Sequence, residues 1–221
     1  MLLGVPALAL ALGAEPARDE TLRYSVNWPS GLSLGEARID STRSNAGWKF
    51  VFSLEAAVPG FSATDRYESL AAGDFCSTEF VKHSTHGKRK AAERTAFDGK
   101  SGTAVRETLA GGGSTRLAVA ACPRDALAFL FHLRRELADG RLPGPQTVYF
   151  GAPYQVRLEF QGKRTVRVND EPADADLVVA SFKGPASNST FEMYFARDAV
   201  RTPLVVRATL PAGTFTLELV R

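Results

Sequence analysis

Between its turns this chain alternates with a period of two, and that period limits what it can fold into. Leu22, Tyr24, Val26 and Trp28 share one side of an extended segment, with Arg23, Ser25 and Asn27 on the other. Trp48, Phe50, Phe52 and Leu54 repeat the pattern, as do Tyr154, Val156, Leu158 and Phe160, and then Phe215, Leu217 and Leu219. Successive side chains of a strand point to opposite faces, so each segment has one face for a core and one for water. Turn signals break the segments at short intervals, among them Pro29-Ser30-Gly31, Asn45-Ala46-Gly47, His86-Gly87-Lys88, Asp98-Gly99-Lys100 and Gln161-Gly162-Lys163. Glycine supplies the positive φ that hairpin corners need. The expected fold is all-β, a curved antiparallel sheet or a barrel-like architecture. A long sheet with open edges invites aggregation unless it closes or doubles over.

One stretch breaks the period. Cys122 to Ala138, CPRDALAFLFHLRRELA, places Ala126, Phe129, Leu130, Leu133 and Leu137 at helical spacing, widened by Leu127 and Phe131. Pro123 and the acidic Asp125 suit a first turn, and Gly140 can stop the helix. The stripe is wider than a helix lying on a surface needs. The helix is therefore expected to pack into or against the concave side of the sheet, or to plug one end of a barrel. It divides a single β-rich domain, residues 20–221, into an N-terminal meander (20–121), the helix (123–139) and a C-terminal meander (146–221).

Composition excludes several classes. Hydrophobic residues at 44% and charged residues at 23% make bulk disorder untenable. A net charge of +3, spread along the chain, does not concentrate the positive field that nucleic acid requires. Residues 1–14 read as a secretory signal, an apolar run ending in small residues that offers a cut after Gly13 or Ala14. No Lys or Arg precedes the run, and an uncleaved anchor is the alternative. No other segment is long and apolar enough to span a bilayer. The protein is thus expected outside the cytosol, in the periplasm or cell envelope. There the only two cysteines, Cys76 and Cys122, can form a disulfide. Closing a loop of about 45 residues would contribute on the order of 3–4 kcal/mol.

Catalytic signatures are missing. There is no GxSxG elbow, no HExxH and no phosphate-cradling glycine loop, and Gly111-Gly112-Gly113 lacks the Lys and Ser/Thr of a P-loop. No metal or cofactor is expected. His83 and His86 sit in KHSTHGKRK, at a spacing that puts them on opposite faces of a strand, and the neighbouring cations would repel a metal. That basic hairpin suits a solvated edge, or anionic headgroups or an acidic glycan. The acids Asp65, Glu68, Asp170, Glu171, Asp174 and Asp176 leave a glycosidase-like couple open. Arg134 or Arg201 is expected to pair with Asp125 or Asp198 and so tie helix to sheet.

Four stretches in order carry a family resemblance: LRYSVNWPSGLSLGEARI, RYESLAAGDF, CPRDALAFLFHLRRELADGRL and YFARDAVRTPLVVRATLPAGTFTLELV. Together they resemble the exported bacterial proteins grouped as domain of unknown function 3108, over most of residues 20–221. The resemblance implies a β-rich protein of the envelope and no established activity, with no catalytic residues to carry over. The short signal and the paired cysteines depart from the pattern.

The leading expectation is a non-enzymatic exported protein. It would hold a hydrophobic or amphiphilic ligand, such as a lipid or acyl chain, in the concave face, with Arg134 at the rim and Phe129 and Leu133 on the wall. The alternatives are a hydrolase or lyase acting on an envelope polysaccharide, and an assembly factor binding an envelope protein through a strand edge.

Overall fold

The computed structural model describes residues 19–109, 111–185, 187–210 and 213–220, leaving the expected signal at 1–14 outside the described residues. The first meander is β1 (Glu20–Asn27), β2 (Ser33–Ser44), β3 (Gly47–Val58), β4 (Phe61–Ala71), β5 (Ser77–His86), β6 (Arg89–Asp98), β7 (Thr103–Thr108) and β8 (Ser114–Ala118). A two-residue strand β9 (Arg124–Asp125) leads into α1 (Ala126–Ala138). The second meander is β10 (Gln146–Tyr149), β11 (Pro153–Val168), β12 (Glu171–Lys183), β13 (Asn188–Ala196), β14 (Pro203–Leu210) and β15 (Gly213–Val220).

All fifteen strands join one sheet, with β1 paired to β15 and the two meanders running outward from that seam to β8 and to β9. Every ladder is antiparallel except the short β9–β10 contact. The segment between β8 and β9 therefore carries the chain from one end of the sheet to the other, and the helix then joins β9 to its parallel neighbour β10. A straight sheet this wide would put those ends far apart. Here the sheet curls until they meet: Tyr149 Oη donates to the Ala118 carbonyl at 3.3 Å, and Arg106 Nη1 donates to the Gly151 carbonyl at 2.5 Å. Among the described residues no ladder joins β8 to β10, so the roll is barrel-like and open along one line.

The period-two faces sort as alternation requires. Tyr24, Val26, Trp48, Phe50, Phe80 and Phe97 turn inward and are buried. The wall surrounds α1, and Leu127, Ala128, Phe129, Phe131, His132, Leu133, Arg134 and Leu137 are all buried. Phe131 stacks on Phe50 with ring centroids 4.1 Å apart. A helix buried on nearly every side needs the broad apolar stripe seen in the sequence.

Two sequence expectations need correction. The helix begins at Ala126 rather than in the Pro123 turn, because Asp125 adopts extended geometry and caps it, accepting from the Leu127 and Ala128 amides at 2.9 and 3.1 Å. Gln161-Gly162 is no hairpin corner. It is a bulge within the sixteen-residue β11, where the register with β12 slips between Phe160 and Lys163. The bend lets the far half of the β11–β12 hairpin fold back over β15. Its Asn169–Asp170 corner, with φ of 51° and 62°, donates from the Asn169 amide to Glu218 Oε1 at 2.9 Å. Val166 and Val168 belong to this fold-back and are buried.

A Cys76–Cys122 disulfide joins the start of β5 to the segment before β9, across a separation of 46 residues. Beside it the Ser77 amide donates to the Pro123 carbonyl at 2.7 Å. The crossing segment is thus pinned to the first meander just before it enters the interior. Replacing both cysteines by serine is expected to lower the unfolding free energy by about 4 kcal/mol, the chain-entropy value for a loop of this length. Urea melts of the double variant against the oxidised protein measure it.

Candidate functional site

Side chains of β4 that face inward trace the concave surface from its filled end to its open end. Ser69 lies deepest, under the start of α1, and its Oγ donates to Asp125 Oδ2 at 2.6 Å. Ser77 Oγ donates to the same oxygen at 2.6 Å and accepts from the Asp125 amide at 2.8 Å. Asp125 is fully buried, and burial pushes its carboxyl up against the pull of these hydrogen bonds. One step outward Tyr67 packs against Phe52 and edge-on to Phe150, at centroid distances of 5.3 and 5.1 Å. Burial, with Asp65 beside it, pushes its phenol well above the ordinary range.

Next comes Asp65, buried, with both carboxylate oxygens 3.0 Å from His86 Nε2. The register aligns Asp65 with Ser84 and Ala63 with His86, so the pair is a diagonal neighbour contact on one face. Asp65 and Ser84 both lie near enough to Tyr67 to act on its phenol. From the level of Tyr67 outward the concave face turns polar. Lys82 and Glu93 face each other at 3.8 Å, and among the described residues Glu93 Oε2 receives no hydrogen bond. Outermost are Phe61 and the β5–β6 corner, His86-Gly87-Lys88-Arg89-Lys90. Gly87 has a φ of 58°, and a Cβ there would stand 3.5 Å from the Phe61 ring, so the two neighbouring corners touch. Together they border an open recess of about 910 Å³, within the size range of small-molecule sites.

The residues expected to bind a ligand lie at the other end. Phe129 is closed in by Val148 and Val156, and Leu133 by Val178, Ala180, Met193 and Phe195. Arg134 is no rim cation. Its side chain is 5% exposed and forms a two-pronged ion pair with Glu20, itself 15% exposed, the Nη2–Oε2 arm measuring 3.1 Å. Its Nε donates to the carbonyls of Val200 and Arg201 at 3.1 and 3.2 Å, and the guanidinium lies over the Phe131 ring. The expected pairs of Arg134 or Arg201 with Asp125 or Asp198 do not form. Asp125 sits nine residues earlier in the chain, about 13 Å back along the helix axis at 1.5 Å per residue, out of reach of Arg134. Arg201 Nη1 donates to Asp176 at 2.8 Å, and Asp198 is taken by Thr202 of its own turn at 2.7 and 3.0 Å. Helix and sheet are tied through the Arg201 carbonyl instead of its guanidinium.

A family model described as a protein of unknown function (DUF3108) matches residues 23–220. The chain belongs to that family. Among solved structures, this DUF3108 chain is similar to a beta-barrel-like protein of domain of unknown function DUF1849 from Brucella abortus. The likeness has a TM-score of 0.68 at 8% identity and covers 92% of this chain and 96% of that one, which establishes a shared fold. No curated protein matches the sequence. Among the described residues no helix is long and apolar enough to cross a membrane.

Sequence reasoning singled out Asp65, His86 and the basic corner of this DUF3108 chain but did not join them. It missed Glu20, Ser69 and Ser77, whose partners are remote in the chain. Removing one side of a buried ion pair strands the other charge, so Arg134→Ala is expected to lower stability by about 3–5 kcal/mol in a denaturant titration. His132 gives a pH test. Burial, with Arg124 nearby, holds its imidazole down at about 4, against an ordinary 6.5. Between those values the unfolded chain binds a proton that the folded chain refuses. Its contribution is therefore intact above the unfolded value and is lost as the pH falls toward the folded one. His132→Gln is expected to flatten the fall in thermal midpoint across that window, and an unchanged slope would assign the acid sensitivity elsewhere.

Proposed function

We propose that this protein binds an amphiphile with an anionic head at the open end of its concave face, without chemistry. The observation that carries the reading is the recess itself. It lies on the inward side of β4, β5 and β6, with Phe61 as an apolar wall and Lys88, Arg89 and Lys90 supplying positive charge at its mouth. Partly buried Leu54, Ala56 and Val58 of β3 extend the apolar surface beside it. An amphiphile satisfies both surfaces at once, whereas a purely apolar ligand leaves the cations unused and a small anion leaves the wall unused. We infer also that the protein works outside the reducing cytosol, in the cell envelope. Its disulfide and the apolar run at residues 1–14 support that setting.

The Asp65–His86 contact favours a second reading. A carboxylate that holds Nε2 leaves Nδ1 to meet a ligand, which is the arrangement of an oriented general base. A polysaccharide hydrolase or lyase acting in this recess would use it to take up a proton.

Fluorescence titration with a dansylated fatty acid below its micelle concentration separates the two. The expected result is saturable binding that weakens by about tenfold or more in the triple Lys88→Glu, Arg89→Glu, Lys90→Glu variant, and that also weakens in Phe61→Ser. Equal binding by those variants, or equal affinity for an uncharged dansylated alcohol, would sink the proposal. Shortening of an added glycan that is lost in His86→Gln would replace it with the enzymatic reading.

A further inference from the structure

Hairpin corners on one side of a meander share an end of the sheet. Three of them are neighbours here: Trp28 to Leu32 between β1 and β2, Pro59-Gly60 between β3 and β4, and Gly87-Lys88 between β5 and β6. The register sets them at one height. Gly35 pairs with Ala56, which brings Leu32 level with Pro59, and Ala63 pairs with His86, which brings Phe61 level with Lys88. The Gly87 amide donates to the Ser62 carbonyl at 2.7 Å and locks the last two corners together.

Their chemistry is unusual for loops. Leu32 is 60% exposed and Phe61 50% exposed, two of the most exposed large apolar side chains among the described residues. Leu32 stands in its turn and Phe61 opens β4 beside the next corner, where its ring also borders the recess. The stretches WPSGLSLG (28–35) and AAVPGFSAT (56–64) contain no charged residue. The third corner carries Lys88, Arg89 and Lys90, and no acid lies between Ser84 and Ala92. The rim therefore presents exposed apolar side chains beside a purely cationic corner.

We propose that this rim docks on the surface of an anionic lipid bilayer, with Leu32 and Phe61 entering the interfacial region and the basic corner lying against the headgroups. Apolar side chains that reach the acyl boundary and cations near an anionic leaflet each add affinity, and the second contribution is screened by salt. Exposed apolar side chains carried on uncharged turns beside a cluster of cations match an anionic bilayer surface, where an apolar boundary lies under charged headgroups. A soluble polyanion would use the basic corner and ignore Leu32. The proposal goes beyond ligand uptake in the recess, because Leu32 does not border that recess.

Sedimentation with vesicles tests it, using one-third phosphatidylglycerol in phosphatidylcholine against phosphatidylcholine alone. The expected result is binding to the anionic vesicles only, weakened by salt and reduced about tenfold or more in Leu32→Asp and in the triple Lys88→Glu, Arg89→Glu, Lys90→Glu variant. Leu142→Asp, in the loop after α1, serves as a control for an exposed apolar residue elsewhere and should bind as the parent does. Thermal midpoints confirm that each variant is folded. Uptake of the dansylated fatty acid should survive Leu32→Asp, so failure of the recess reading and failure of the docking reading are told apart. Leu32→Asp binding anionic vesicles as the parent does would overturn the proposal, as would equal binding to neutral vesicles. Heparin binding of vesicle strength that is indifferent to Leu32→Asp would assign the corner to soluble polyanions instead.

Discussion

Asp125 takes a carboxylate wholly out of water, and the groups that replace its hydration are two amides of its own helix and two serines of the wall. An isolated charge in such a place would be prohibitively costly, so those four donors are a condition of the fold. They also fix geometry. The amides set the first turn of α1, and Ser69 and Ser77 belong to β4 and β5. One side chain therefore decides where the helix starts and where it points relative to the sheet. The disulfide and the Ser77–Pro123 backbone contact, a few residues upstream, deliver the chain to that point.

From this anchor the concave face divides along its length. Toward the end of α1 everything is closed: Arg134 is spent on Glu20 and on two carbonyls, and Leu133 and Phe129 are fully packed. Away from the helix the inward side chains of β4 pass from Ser69 through Tyr67 and Asp65 to Phe61, turning from packed to polar to open. The helix is thirteen residues long, shorter than the longest strands, and cannot fill the whole bend. The recess at the far end follows from that mismatch.

Much of this was legible beforehand, and for identifiable reasons. Period-two alternation is a local property, so strand faces, the inward course of Phe50 and Tyr24, and the split of His83 from His86 could be read directly. The helix stood out because its stripe has another period, and its width announced burial on several sides. The sheet order was not legible. Nothing local says that β1 meets β15, or that Gln161-Gly162 bends a strand instead of ending it. Partner choice failed for the same reason. Arg134, Asp125 and Asp198 are all placed to make ion pairs, but the acid that reaches Arg134 is Glu20, at the very start of β1, brought there only by closure. Asp65 and His86 lie 21 residues apart on adjacent strands, so a committed β4–β5 register would have found them.

The seam between β1 and β15 joins the first and last of the described strands, so β1 is made long before its partner. During synthesis the outer edge of β1 stands with its donors and acceptors open while the rest of the chain is still being produced, and the greasy side of the growing meander has no lid until the crossover arrives. Unfinished intermediates of this kind are prone to associate with one another. A wall that closes this late makes the yield of native protein fall as the concentration of unfinished chains rises.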